Sequence, residues 1–254
     1  TSQYKDMYTE WSVNEKVSLE VAIGASLAGS RSFCAMKHVG LNVASDALMT
    51  QTLIGVKGGL VIAVADDVGL SSSQNEQDSR YWGRFAHIPV LEPADSQEAY
   101  DMVKYAFDLS EQFDTPVLLR ITTRVCHVKS IITTSGRVEK DSLGFVKEQT
   151  RLVMTPANAK HRIPFMHQRE ATMRDFSNTE CPLNTIIPGT DTRIGYVTSG
   201  PAFLHVSESF PDAPVFKMGL SYPLPTDKIR EFAATVDQLR SEERRVGKEC
   251  RSRW

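Results

Sequence analysis

LVIAVADDVGLSSSQNEQDSR, residues 60–80, is the stretch that decides the fold. Its first residues are apolar without a break, and Val61, Ile62 and Val64 are β-branched. That pattern predicts a strand buried on both faces, as in a parallel sheet covered by helices. A polar loop follows at once. In open α/β sheets ligands gather beyond the carboxyl ends of the strands, so residues 66–80 are a candidate small-molecule surface.

Reading outward from this strand gives a regular alternation. Upstream, residues 43–54 read as a helix ending at Gly55, RSFCAM as a short strand and KHVGLN as the loop after it. Before these, Ser12 and Glu15 form an S-x-x-E capping box that opens a helix running to about Gly29. The interior of that helix is small-sided (Ala22, Gly24, Ala25, Ser26, Ala28), which permits close approach of a sheet, a helix or a cofactor. Downstream come a helix near 76–86, the strand IPVLEP, a second capping box at Asp95 and Glu98 with a helix to about Phe113, and the strand PVLLRIT. Strands and helices at this spacing predict a parallel α/β sheet with right-handed crossovers over residues 1 to about 130.

From about 131 to 190 the periodicity fails, with prolines at 156, 164, 182 and 188. This stretch is predicted to be an irregular connector with a short helix around 168–176. RIGYVTSG, a helix from Pro201 to Phe210, PVFKMG, a helix after Thr226 and a strand beginning at VDQL restart the rhythm as a smaller α/β unit over 191–240. The final SEERRVGKECRSRW, residues 241–254, lacks any apolar period. It is read as a non-native tail and excluded from the fold.

The bulk composition is that of an ordinary globular protein, with 41% hydrophobic and 24% charged residues in 254. A net charge of −2 gives no electrostatic reason to expect nucleic acid or an anionic membrane as partner. No apolar run approaches the roughly 20 residues needed to span a bilayer. Cys34, Cys126, Cys181 and Cys250 are scattered, without a C-x-x-C pair, so no zinc or iron–sulfur site is read here. Each thiol is expected to be a small buried hydrophobe, and the set suits a reducing cytoplasm.

Several residues have the chemistry of a site and an ordinary structural alternative. Glu15 at the third position of a capping box needs no cofactor to explain it. Glu20 can support a site or pair with Lys16 at i,i+4 spacing. Lys37 and His38 could receive a carboxylate and Asn42 could donate from its amide, but surface and capping roles suit them equally. Asp67 ends a strand where Asp commonly caps a turn, and Ser72, Ser73, Gln74 and Asn75 form a run of neutral donors. A nucleophilic serine lacks its G-x-S-x-G setting. The acidic set Asp66, Asp67, Glu76 and Asp78 lacks EF-hand spacing, so no metal is assigned to it. His127 is read as a structural residue closing the first unit, while Arg120 and Arg124 stay open between an anion contact and a subunit contact.

The blocks NEK at 14–16, MKHVGLN at 36–42 and SSQNEQD at 72–78, with LEPADSQEAYDMVKYAFDLSEQFDTPVLLRITTRVCH at 91–127, resemble the large subunits of indolepyruvate ferredoxin oxidoreductases. These belong to the thiamine-diphosphate-dependent 2-oxoacid:ferredoxin oxidoreductases. The resemblance runs from about residue 7 to about residue 240. It implies a pyrimidine-binding domain followed by a transketolase-C-like domain, and oxidative decarboxylation of arylpyruvates to acyl-CoA with ferredoxin as acceptor. It makes Glu15 the carboxylate that hydrogen-bonds the cofactor's aminopyrimidine ring, with Glu20 supporting it.

The family's magnesium–diphosphate grip, its [4Fe–4S] cysteine clusters and the strand expected ahead of Thr1 are not found in this sequence. The chain is therefore expected to be an internal piece that is silent by itself. In the complete enzyme the resemblance implies a second (beta) subunit, ferredoxin, coenzyme A and a dimer of heterodimers. A pyruvate-type relative and a non-catalytic binding or assembly module are the alternative readings.

Overall fold

The computed structural model describes residue 4, residues 7–136 and residues 140–241. The excluded tail lies, apart from Ser241, outside the described residues, as does Cys250. The chain runs α1 (Glu15–Leu27), β1 (Ser32–Lys37), α2 (His38–Val43), α3 (Ser45–Ile54), β2 (Leu60–Asp66), α4 (Arg80–Ala86), β3 (Val90–Leu91), α5 (Ser96–Phe113), β4 (Val117–Thr122) and α6 (Thr123–His127). It continues with α7 (Gln149–Leu152), α8 (Pro156–Thr179), β5 (Asn184–Ile187), β6 (Ile194–Ser199), α9 (Ala202–Ser209), β7 (Val215–Met218), β8 (Leu220–Tyr222), α10 (Thr226–Ala233) and β9 (Gln238–Ser241).

The first sheet has the order β1-β2-β4-β3-β8. Its first four strands are parallel, and β8 adds an antiparallel edge against β3. The unbroken apolar run of β2 has a direct cause. Leu60, Ile62 and Val64 pack into a core with Leu19 and Ala22 of α1 and Leu48 of α3, whereas Val61 packs with Met102 and Leu109 of α5. A strand covered on both faces has no position left for a polar residue until it ends at Asp66. The second sheet has the order β5-β7-β6-β9, with β5 antiparallel to β7 and the rest parallel.

Four readings are corrected. Helix α1 is capped by Asn14, whose side chain accepts from the Val17 amide 3.0 Å away, so Glu15 is the first helical residue and not the third position of a box begun at Ser12. KHVGLN is mostly the short helix α2 and not a loop. The first sheet takes its last strand from residues 220–222, so it is not built from 1–130 alone.

The connector also contains a 24-residue helix, α8, much longer than a turn around 168–176. Pro156 occupies its first turn, where a missing amide hydrogen costs nothing, and Thr155 caps it. Pro164 lies inside the helix and breaks its amide ladder. Side chains compensate. Arg162 donates to the Leu53 carbonyl (2.9 Å), and Arg169 to those of Thr52 and Asp114 (2.6 Å each). These guanidinium groups cap the carbonyl end of α3, where a cation is favoured. Gly55 closes α3 at φ 81 with Asp114 packed against its Cα, a conformation and an approach that only glycine allows.

Candidate functional site

The parallel order places the site. Because α1 runs into β1 through a tight turn, its amino end returns to the carboxyl end of that strand. The β2 loop opens at the same end. Glu15 therefore arrives beside α2, and it lies directly on Gly40. A methyl group placed on Gly40 would stand 2.9 Å from Glu15 Cδ and Oε1 and closer still to Cγ. The Glu15 carboxylate is half-buried and, among the described residues, has no hydrogen-bond or ion-pair partner. An N-terminal first-turn position favours its negative charge.

On its other side α2 holds the long loop. His38 is fully buried, its Nε2 lies 3.1 Å from the Asn75 carbonyl, and the Asp67 amide points at its Nδ1 from 3.4 Å. Its Nδ1 also lies 3.4 Å from the Ala65 carbonyl, so backbone groups of both loop ends meet this ring. Lys37 Nζ reaches the Ser72 carbonyl at 3.4 Å. Asp67 accepts from the backbone amides of Ser72 (2.6 Å) and Ser71 (3.0 Å) and from the Thr123 hydroxyl (3.2 Å). These donors, the Ser72 amide above all, hold its carboxyl well below the usual carboxylate range.

The structure thus joins Lys37, His38, Asp67 and the backbone of Ser72 and Asn75 into one set by hydrogen bonds, and places Glu15 against the same short helix at Gly40. Ser72, Gln74 and Asn75 are exposed, and Ser73 is half-buried. Asn42 is exposed and its carbonyl accepts from Ser45 Oγ. Glu20 does not join the set. It is exposed and lies 3.9 Å from Lys16 Nζ, which also binds Asp46 at 3.0 Å. His127 is exposed at the end of α6, and Arg124 meets His205 at 2.7 Å. Of the thiols, Cys34 and Cys181 are buried but Cys126 is exposed, contrary to expectation. Burial pushes the Cys34 thiol up to about 12.

Beneath this set lies a buried ionic network that the sequence reading missed. Arg120 Nε donates to Asp66 (2.6 Å) and its Nη1 to Glu92 (2.7 Å), Arg80 pairs with Asp78 (2.8 Å), and Arg80 Nη1 lies 3.7 Å from Glu92. Burial opposes the Arg120 charge, and the carboxylates of Glu92, Asp66 and Asp78 outweigh it, keeping its pKa above the ordinary value. Burial likewise opposes the Glu92 charge, and Arg80 and Arg120 bring its pKa below the usual one. The legible signal was a charge at the end of three apolar runs: LVIAVAD, IPVLE and PVLLR. Those ends are adjacent because the strands are parallel. Of the acidic residues at 66, 67 and 78, Asp66 and Asp78 meet arginines and Asp67 meets backbone amides.

Residues 3–180 match the family described as "Pyruvate flavodoxin/ferredoxin oxidoreductase, thiamine diP-bdg". The chain belongs to this thiamine-diphosphate-binding family. It is 44% identical over 241 residues to the indolepyruvate oxidoreductase subunit IorA of Methanothermobacter thermautotrophicus, and 40% identical over 244 residues to that of Thermococcus kodakarensis. Each alignment covers 92% of this chain and 38% of the relative, so the chain spans well under half the length of the curated proteins it matches. Among solved structures, the 2-oxoglutarate:ferredoxin oxidoreductase of Magnetococcus marinus shares its fold at a TM-score of 0.65 and 16% identity, over 91% of this chain and 49% of that one. A split-gene transketolase, an inactive β4 tetramer, does so at 0.54 and 14%, over 94% of this chain and 66% of that one. Among the described residues no helix is long and apolar enough to cross a membrane.

Proposed function

We propose that this chain supplies the pyrimidine-facing half of the active site of a thiamine-diphosphate-dependent indolepyruvate:ferredoxin oxidoreductase. The observation that carries the reading is the half-buried, unpartnered Glu15 carboxylate seated on Gly40, among residues joined at the carboxyl ends of two parallel strands. A carboxylate in that setting fits the aminopyrimidine ring, which presents nitrogen donors and acceptors. When bound, the cofactor provides an electron sink for decarboxylation of a 2-oxo acid.

The residues then divide the work. Glu15 would share one proton with a ring nitrogen, donating the hydrogen bond when protonated and accepting it when ionised. Gly40 leaves room for that carboxylate. Lys37 and the exposed Ser72, Gln74 and Asn75 receive the substrate carboxylate and carbonyl, with Ser73 and Asn42 at the margin. Asp67 and His38 fix the loop that carries them. Glu20, on the far side of α1, supports Lys16 and leaves the chemistry alone. We assign residues 1–130, completed by β8, to the cofactor-facing unit, the stretch from 131 to the start of β5 to a connector, and β5, β6, β7 and β9 with α9 and α10 to a smaller transketolase-C-like unit.

The remaining parts of the reaction come from elsewhere in a complete enzyme: magnesium and the diphosphate grip, [4Fe–4S] clusters, a beta subunit, ferredoxin as acceptor and coenzyme A, working in the cytoplasm as a dimer of heterodimers. The 40–44% identity to subunits named for indolepyruvate favours an arylpyruvate over pyruvate. The test is reduction of ferredoxin or a viologen by the complete enzyme with indolepyruvate and coenzyme A. Glu15→Gln should lower turnover at least 100-fold, and the isolated chain should show none. A Glu15→Gln enzyme near wild type, or substantial activity from the isolated chain, would refute the assignment.

A further inference from the structure

A second cluster lies on α8 and the end of α4, and none of its residues belongs to the set around Glu15. His87 Nδ1 is 2.7 Å from Glu170 Oε2, the His87 and His167 rings meet edge to face with centroids 5.2 Å apart, and ligand atoms of His87, His167 and Glu170 all lie within 4.8 Å of one another. His167 and Glu170 are three residues apart on α8, so both project from one face of the helix. His87 comes from 80 residues earlier in the chain. It stands at the end of α4 in the left-handed region, φ 55, a position where glycine or asparagine is the easier choice.

We propose that His87, His167 and Glu170 form a divalent-cation site of the zinc class, with a fourth position open to water. Two imidazole nitrogens and one carboxylate oxygen are a recurrent three-ligand set for zinc. Tetrahedral bonds of about 2.0–2.2 Å would separate adjacent ligand atoms by roughly 3.3 Å. His87 and Glu170, now hydrogen-bonded at 2.7 Å, need open by only a fraction of an ångström, and the exposed His167 needs a rotamer adjustment. The carboxylate already has its outer support. Tyr222 donates to Glu170 Oε1 and leaves Oε2 for the ion. Arg174 lies 3.6 Å from that same Oε1 and Arg84 lines the adjoining groove. The two imidazoles select a nitrogen-seeking ion over calcium or magnesium, which take oxygen ligands. Bound metal would tie the end of α4 to the middle of α8, and Tyr222 extends the link to β8.

Cobalt(II) titration of the metal-stripped chain tests this, because tetrahedral cobalt absorbs in the visible and thiolate ligands add a separate near-ultraviolet band. One equivalent should bind, with a tetrahedral spectrum free of that thiolate band, and zinc should displace it. His167→Ala and Glu170→Gln should each weaken binding at least tenfold, and Tyr222→Phe about tenfold. His161→Ala, on the same helix outside the cluster, should not change it. His167 is exposed, so its loss leaves the fold intact. Failure to bind at millimolar cobalt, a thiolate band, or a spectrum unchanged in His167→Ala and Glu170→Gln would overturn the proposal.

Discussion

Strand β2 and helix α8 are held by opposite means. Strand β2 is fixed by apolar burial on both faces, and any segment of its composition would read the same way. Helix α8 buries little of itself, with Met173 and Ser177 its only fully buried residues. It is fastened by guanidinium groups on the carbonyl end of α3, by Arg169 on the Asp114 carbonyl and by Ser177 Oγ on the Pro223 carbonyl. Burial imposes a period on sequence, whereas side-chain-to-backbone bonds between residues 46 to 117 positions apart impose none. The buried ionic network combines the two, with charged groups at the ends of apolar strands.

The sharpest way to break this contrast is to remove the network's central cation. Arg120→Met should lower stability by about 3–5 kcal/mol in denaturant unfolding, because it leaves Asp66 and Glu92 buried without their main partner. A loss below about 1 kcal/mol would mean that the network is incidental. Arg169→Met should cost less, roughly 1.5–3 kcal/mol, from two charge-assisted bonds to carbonyls. Its effect should appear first as faster amide exchange in the last turn of α3 and in α8, with β2 unaffected.

Smaller still is the response of the 66–80 loop to acid. The folded pKa of Asp67 lies below its unfolded value, so its contribution is fully present above the ordinary carboxylate value of about 4. It is lost as pH falls from there toward the folded value. Loop amides of Ser71 and Ser72 should therefore lose protection below about pH 4 in the wild type, and should lack it at neutral pH in Asp67→Asn. Equal protection in both proteins would contradict the role given to this carboxylate. Glu20→Gln should give the smallest effect, with no measurable change in turnover or unfolding midpoint, since its contact with Lys16 is exposed and long.

These cases separate what sequence could reveal from what it could not. Alternation of apolar runs located β1, β2 and β4, and the Asp95 cap located the start of α5. The carboxyl-end rule brings Glu15, His38 and Asp67 into one reading from the sequence. Local ambiguity hid the cap of α1, because Asn14 and Ser12 are both good caps and only the backbone turn chooses between them. Strand β8 was hidden because three residues carry no period, and α8 because Pro164 argues against a helix that its own arginines fasten to carbonyls distant in sequence. The His87–His167–Glu170 cluster was lost with it, since its H-x-x-E spacing has meaning only on a helix.

The most direct test of the account is the cofactor's own proton. In the complete enzyme with thiamine diphosphate and magnesium, exchange of the thiazolium C2 hydrogen for deuterium can be followed by quenched-flow NMR without any substrate. Wild type and Glu20→Gln should exchange at the same rate, and Glu15→Gln at least 100-fold more slowly at saturating cofactor. Unchanged exchange in Glu15→Gln would show that the carboxylate on Gly40 is not the group that handles this proton.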